Sequence, residues 1–135
     1  GSFQEVLDDA TADSTKVRRI VFATGKIAHE AVARRAELDG VAASQIAIVR
    51  VEQLYPLHKK RLAEIAKKYA GAKLIWAQEE SANNGAWSYI APELEAIFGR
   101  KPLYAGRDAS ASPAVGSLAL HRIELAALLK DAFSL

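Results

Sequence analysis

Apolar residues along the chain form short β-branched runs that alternate with longer stretches at helical spacing. The short runs predict strands over residues 19–23, 46–51, 73–78 and 102–105. The longer stretches predict helices over residues 26–38, 59–69, 86–98 and 118–133. Asp39-Gly40 predicts the end of the first helix, and Pro92 predicts a break in the third.

This alternation is typical of βαβ units, so we expect an α/β domain with a mostly parallel sheet covered by helices on both faces. The apolar residues 3–7 predict an additional edge strand, and residues 8–16 predict an exposed lead-in with several acids. Gly1-Ser2 is interpreted as an expression scar, residues 3–16 as lead-in and edge strand, and residues 17–135 as a single domain.

Composition and charge narrow the class of protein. The 135 residues are 50% hydrophobic and 25% charged, which favours one folded globular domain over a disordered tail. No stretch is long and apolar enough to predict a membrane span. The absence of cysteine excludes disulfides and thiolate metal sites. A net charge of +2 is too small to predict a nucleic-acid partner.

Ligands of open α/β sheets bind at the carboxyl ends of the strands. Polar side chains that follow the predicted strands are therefore candidate site residues: Thr24, Lys26, Glu79, Glu80, Asn83 and Arg107. Thr24-Gly25-Lys26 could hold an anion at a helix start, or form a tight turn capped by Thr24. It is not a Walker phosphate loop, because Ile20 and Ile27 occupy required glycine and hydroxyl positions.

Glu79 and Glu80 could supply paired carboxylates for acid/base chemistry. Neighbours on a strand point to opposite faces, so the alternative is one buried, hydrogen-bonded acid and one solvated acid. The histidines lack a second ligand at metal-binding spacing, and no metal site is predicted. Trp76 is expected in the core, whereas Trp87 is expected to line a cleft or pack under a loop.

Lys59-Lys60-Arg61 forms the densest basic cluster, at the start of a predicted helix. Cations are unfavourable at a helix N-terminus, so the cluster either forms a solvated face or accompanies an anion. No aromatic stripe interleaves the cluster, which argues against single-stranded nucleic acid.

Four motifs together resemble one family. They are Val17–Val21 with Thr24-Gly25-Lys26; Ile46–Pro56; Trp76–Glu80 with Asn83 and Gly85–Trp87; and Tyr104–Gly116 followed by His121. In this order and spacing the chain closely resembles the C-terminal domain of 2-oxoglutarate dehydrogenase, over about residues 3–134.

The resemblance implies a transketolase C-terminal-like, three-layer α/β/α fold whose five-stranded sheet has one antiparallel edge strand. The parent enzyme of that family is a homodimer that binds thiamine diphosphate and Mg²⁺ and decarboxylates 2-oxoglutarate in the tricarboxylic acid cycle. It then succinylates the lipoyl group of the acyltransferase component. Its cofactor lies between domains outside this chain, so we expect this piece to lack catalytic residues and cofactor and to be inactive alone. Its partners would be the other domains of its own chain, the second subunit and the acyltransferase.

One branch of the family is activated by acetyl-CoA, and its effector residues match Gln53, Lys60 and Arg61. That branch has Arg at both basic positions, and Lys60 keeps the charge without the bidentate fork. Asn84 stands where the family usually has Gln. The segment 82–87, with Trp87, is the expected contact surface toward other domains or the second subunit.

Two other classes of function remain open from the residues. The chain could be a free-standing CoA- or nucleotide-binding module, or a small enzyme that uses Glu79, Glu80 and Arg107. The resemblance is compatible with a bacterial cytoplasm or a mitochondrial matrix. The choice between 2-oxoglutarate and 2-oxoadipate as the parent's substrate rests on the resemblance alone.

Overall fold

Five strands form one sheet in the described part of the chain, residues 5–107 and 118–135 of the computed structural model. The strands are β1 (Val6–Leu7), β2 (Arg19–Ala23), β3 (Ile46–Val51), β4 (Lys73–Ser81) and β5 (Leu103–Arg107). The helices of this part are α1 (Gly25–Arg35), α2 (Gly40–Ser44), α3 (Lys59–Lys68), α4 (Trp87–Phe98) and α5 (Leu118–Ser134).

The strand order is β1-β3-β2-β4-β5. Strand β1 runs antiparallel to β3, with Val6 opposite Val51, and the other neighbouring pairs are parallel. The predicted α/β class and the mostly parallel five-stranded sheet with one antiparallel edge strand are therefore confirmed. The carboxyl ends of the four parallel strands lie along one edge of the sheet, which we call the carboxyl edge.

Side chains alternate between the two faces of the sheet and fill two separate cores. Phe22 and Trp76 belong to the core beneath α3 and α4, whereas Val21 and Ile75 belong to the core beneath α1 and α5. Trp76 is 1% exposed, as predicted. The sheet is thus the middle layer of the predicted three-layer arrangement.

Two helix boundaries differ from the sequence prediction. Asp39-Gly40 does not end a helix: α1 ends at Arg35, and the Asp39 carboxylate accepts a 3.0 Å hydrogen bond from the Ala42 N–H to begin α2. The predicted break at Pro92 is also wrong, because α4 continues through it. Ile90 and Leu94, fully buried on either side of Pro92, hold the helix against the sheet.

Two strands extend beyond their predicted ends. Strand β4 continues to Ser81 and so contains Glu79 and Glu80, and β5 continues to Arg107, beyond its predicted end at residue 105. Residues 108–116 of the motif Tyr104–Gly116 lie outside the described residues.

The expectation of an exposed lead-in is wrong for Asp8 and Asp9, whereas Asp13 is exposed. Asp9 is 8% exposed; its carboxylate accepts hydrogen bonds from Arg35 and, at 2.9 Å, from the Ile48 N–H. Asp8 accepts 2.8 Å hydrogen bonds from Lys68 Nζ and the Tyr69 hydroxyl. Burial, with the neighbouring Asp8, raises the pKa of Tyr69 to about 12. These acids attach the lead-in to both sides of the sheet.

Candidate functional site

The loop after β2 lies in the middle of the carboxyl edge and leads into α1. Gly25 has a φ of +44°, which suits glycine, and it opens α1. The Thr24 side chain makes no capping hydrogen bond, so the predicted Thr cap is wrong. Lys26 is exposed on the first turn.

Gln78, buried near the end of β4, organises the next loop of the edge. Its Oε1 accepts hydrogen bonds from Trp76 Nε1 at 2.8 Å and from the Trp87 N–H at 3.1 Å. Its Nε2 donates to three carbonyls, those of Glu80, Ser81 and Asn84. One side chain thus fixes the path of the chain from β4 to α4. Gln78 is not among the candidate residues that the sequence predicts.

The turn between β4 and α4 is closed by its own polar side chains. Ser81 Oγ donates to Asn83 Oδ1 at 2.8 Å, and Asn84 Nδ2 donates to Ser81 Oγ at 3.1 Å. Gly85 has a φ of +67° and lies against the amide of Gln78. Asn83 is therefore a member of the turn, and Asn84 forms a turn contact in place of the family's usual Gln.

Trp87 and Tyr104 form an aromatic contact at the edge, with ring centroids 5.3 Å apart. The Tyr104 hydroxyl donates to the carbonyls of Glu80, at 3.0 Å, and Arg107. Strands β4 and β5 approach closely at Gly106. A Cβ at this position would lie only 2.6 Å from the Gln78 carbonyl oxygen, so a larger residue would not fit. Trp87 therefore packs on β5 and against the core, beside the turn that precedes α4.

Glu79 and Arg107 meet on the other side of β4, in a cavity of about 50 Å³ that His121 and Glu124 also line. His121 Nε2 lies 3.5 Å from Glu79 Oε1, and Arg107 Nε lies 3.9 Å from Glu124 Oε2. Glu79 Oε1 is buried without a hydrogen bond within the described residues. Glu80 is exposed and lies near Gly85 instead, so the two adjacent carboxylates do not converge.

The basic cluster lies where the loop after β3 enters α3. His58 caps the helix, with Nδ1 accepting a 3.1 Å hydrogen bond from the Arg61 N–H. Lys59 pairs with Glu93 at 3.4 Å and Arg61 with Glu64 at 3.1 Å. Lys60 is exposed and has no ion pair within the described residues. The first turn contains three consecutive cations and no acid.

Gln53 and Tyr55 lie in the loop that precedes this cluster, and Tyr55 forms an unpredicted aromatic pair with Tyr89. Gln53 Nε2 donates to the Pro56 carbonyl at 3.1 Å. Tyr55 is 67% exposed, and its ring lies 4.4 Å from that of Tyr89. The Tyr89 hydroxyl donates to the Leu54 carbonyl at 3.1 Å. Sequence reasoning sought aromatic residues within the helix, whereas this pair joins the preceding loop to α4.

The arrangement therefore separates the candidate residues into three groups. Glu79 and Arg107 share the small cavity. Asn83 lies in the turn that Gln78 organises and Trp87 begins the helix after it, whereas Gln53 lies in the loop between β3 and α3. Within residues 5–107 and 118–135, no three His, Asp or Glu side chains cluster as a metal site would require. No helix in this part is long and apolar enough to cross a membrane.

The fold and its edge define an open, three-layer α/β/α domain with polar and basic groups at the carboxyl ends of a mostly parallel sheet. The family model described as "2-oxoglutarate dehydrogenase C-terminal" matches residues 1–133. The chain belongs to this family.

Curated relatives agree with that assignment. The chain is 41% identical over 138 residues to the 2-oxoglutarate dehydrogenase E1 component of Rickettsia typhi, covering 97% of the chain and 14% of the relative. It is 38% identical over 138 residues to the mitochondrial 2-oxoglutarate dehydrogenase of Caenorhabditis elegans, covering 98% of the chain and 13% of the relative. It is 39% identical to the 2-oxoglutarate dehydrogenase E1 component of Cupriavidus necator, over 99% of the chain and 14% of the relative. The chain thus spans about one-seventh of the length of these relatives.

Proposed function

We propose that this chain is the C-terminal domain of a 2-oxoglutarate dehydrogenase E1 component and supports the enzyme without carrying its catalytic residues. The observation that carries the proposal is the family match over residues 1–133. The parent enzyme would oxidatively decarboxylate 2-oxoglutarate and succinylate the lipoyl group of the acyltransferase component in the tricarboxylic acid cycle. Relatives named as bacterial and mitochondrial enzymes support a bacterial cytoplasm or a mitochondrial matrix as its location.

The parent's cofactors, thiamine diphosphate and Mg²⁺, do not fit the groups described here. Mg²⁺ favours clustered oxygen ligands, and the described residues offer no group of three acidic or histidine side chains. Thr24-Gly25-Lys26 lacks the remainder of a phosphate loop. The role that we propose for this chain is architectural and regulatory.

The surface proposed to contact other domains or the second subunit is the turn 82–87 with Trp87. The order of this surface supports the proposal, because Gln78 hydrogen-bonds to the turn and Tyr104 contacts the Trp87 ring. A preordered surface loses less conformational freedom when it binds.

Replacing Trp87 with alanine should weaken the subunit contact of the longer protein by at least about tenfold, because buried aromatic anchors often dominate interfaces. Analytical ultracentrifugation of that protein would give the dimer dissociation constant. Ser88→Ala, at the exposed neighbouring position, should leave it unchanged. An unchanged constant for Trp87→Ala would place the subunit contact elsewhere.

We further propose that Gln53, Lys60 and Arg61 contribute to an acetyl-CoA effector site. The first turn of α3 holds three cations and no acid of its own, an arrangement that the helix dipole disfavours. Glu93 and Glu64 pair with Lys59 and Arg61, whereas Lys60 has no ion pair within the described residues. Acetyl-CoA supplies phosphates for these cations. Tyr55, two residues after Gln53 in the same loop, is 67% exposed and packs against Tyr89, and its exposed ring surface is one on which an adenine could stack.

The double variant Lys60→Ala/Arg61→Ala of the longer protein should bind acetyl-CoA at least about tenfold more weakly, because two phosphate-facing charges are lost. Titration calorimetry would measure the dissociation constant at two ionic strengths, and wild-type binding should weaken at the higher one. Lys67→Ala/Lys101→Ala removes two exposed charges outside the cluster and is the matched control. Equal affinities in the two double variants would remove Lys60 and Arg61 from the site.

The free-standing CoA-binding module is the alternative that the basic cluster itself favours. It predicts that this chain alone binds acetyl-CoA as tightly as the longer protein does. The self-sufficient enzyme is disfavoured because Glu79 and Glu80 diverge. It predicts turnover by the chain alone, whereas the proposed domain should consume no 2-oxoglutarate by itself.

A further inference from the structure

A cavity lined by apolar and cationic side chains lies at the opposite edge of the sheet from the carboxyl edge and its candidate site residues. It has a volume of about 540 Å³ and lies between the starts of β2 and β3, the end of α1, α2 and the end of α5. Known small-molecule sites have volumes of roughly 300–1,000 Å³. The space is therefore large enough for a small organic ligand.

The walls of this cavity combine apolar surface with an excess of positive charge. Leu38, Ile46, Leu129 and Phe133 supply apolar surface. Three cationic side chains also line it, against a single acid: Arg19, Arg34, Lys130 and the acidic Glu37. This composition favours a ligand with a hydrocarbon body and one negative charge.

Arg19 provides an independent indication of an absent acceptor. One of its terminal nitrogens donates to the Phe133 carbonyl, but its Nε is buried and has no hydrogen-bond partner within the described residues. Buried N–H donors are nearly always satisfied in folded proteins. Arg34 and Lys130 likewise make no ion pair within the described part of the chain. The cavity thus holds cationic donors without matching acceptors.

We propose that this cavity binds a small amphipathic monocarboxylate. The carboxylate would pair with Arg19, Arg34 and Lys130, and the hydrocarbon part would contact Leu129 and Phe133. The carbonyls that end α1 and α5 disfavour an anion, but Arg19 already covers the Phe133 carbonyl. The inference does not depend on the proposed function, because none of these residues belongs to the carboxyl edge.

Octanoate titrated into this chain and followed by ¹H–¹⁵N NMR is the test. We expect saturable shifts centred on residues of the cavity, with a dissociation constant of about 1 mM for a ligand of this size. Octanamide keeps the hydrocarbon chain without the charge, and acetate keeps the charge without the chain. Each should bind at least about tenfold more weakly, because each lacks one of the two proposed contacts. Equal binding of octanamide, or saturable shifts only outside the cavity, would overturn the proposal.

Two variants test the two halves of the site. Arg34→Gln/Lys130→Gln should weaken octanoate binding at least about tenfold by removing charge. Ala126→Leu should also weaken it, because Ala126 lines the cavity and a larger side chain would occupy it. Lys67→Gln/Arg122→Gln removes two exposed charges elsewhere and should bind octanoate like the wild type. Circular dichroism would verify the fold of each variant, and wild-type affinity in either folded test variant would contradict the proposal.

Discussion

Replacing Gln78 with methionine should lower the free energy of unfolding of this chain by about 3–5 kcal/mol, because buried donors lose their acceptor. Trp76 Nε1 and the Trp87 N–H both donate to Gln78 Oε1, and Trp76 is itself buried. The three carbonyls of the turn also lose the Nε2 donor. Methionine has a similar volume, so the effect reports the polar contacts rather than a cavity.

Urea unfolding of the wild type and the variant would measure this difference. Glu80→Gln is the matched control, since it alters an exposed side chain two residues along the same strand. It should change the free energy of unfolding by no more than about 0.5 kcal/mol. If Gln78→Met changed the free energy of unfolding as little as Glu80→Gln does, the Gln78 side chain would not organise the turn.

Replacing Asp9 with alanine should lower the free energy of unfolding by about 3–5 kcal/mol, because removing one partner of a buried ion pair leaves the other charge uncompensated. Arg35 and the Ile48 N–H both lose their carboxylate, and the lead-in loses one attachment to the sheet. Urea unfolding near pH 7 would measure the loss. Glu37→Ala, which removes an exposed acid, should have an effect within about 0.5 kcal/mol.

The same carboxylate should make stability depend on pH. Burial alone would raise the pKa of Asp9, but hydrogen bonds from Arg35, the Ile48 N–H and Thr11 together hold it below its ordinary value. A lowered pKa in the folded state stabilises the protein above the ordinary pKa of about 3.9. That contribution is lost as pH falls through the folded-state pKa. In Asp9→Ala the free energy of unfolding should therefore fall less steeply as the pH is lowered below about 4. An equally steep fall in the variant would show that other groups cause the pH dependence.

The architecture could be predicted from the sequence because the apolar pattern has a local period. Each run of alternating or continuous β-branched residues became a strand, and the clean stripe from Leu62 to Tyr69 became α3. Short elements could not be predicted in this way, because the five residues of α2 are too few to show a helical period. The predicted helix break at Pro92 is wrong because burial of Ile90 and Leu94 outweighs the backbone hydrogen bond that proline cannot donate.

The organising polar residues could not be predicted, because their hydrogen bonds depend on how the chain folds back on itself and follow no periodic pattern. Asp9 is buried only by virtue of Arg35 and the Ile48 N–H. Gln78 acquires its role when the chain folds back to place Trp87 beside it. The effector residues Gln53, Lys60 and Arg61 came from a family resemblance and stay predictions. The octanoate cavity likewise assembles side chains from β2, α1 and α5 that share no sequence motif.

The central claim is that this chain is a non-catalytic domain on which a 2-oxoglutarate dehydrogenase depends. Its most direct test is the rate of 2-oxoglutarate decarboxylation by the longer protein with and without residues 3–135, and by this chain alone. We predict that the intact protein is active, that the truncated protein loses activity, and that the chain alone has none. Full activity in the truncated protein, or turnover by the chain alone, would contradict the claim.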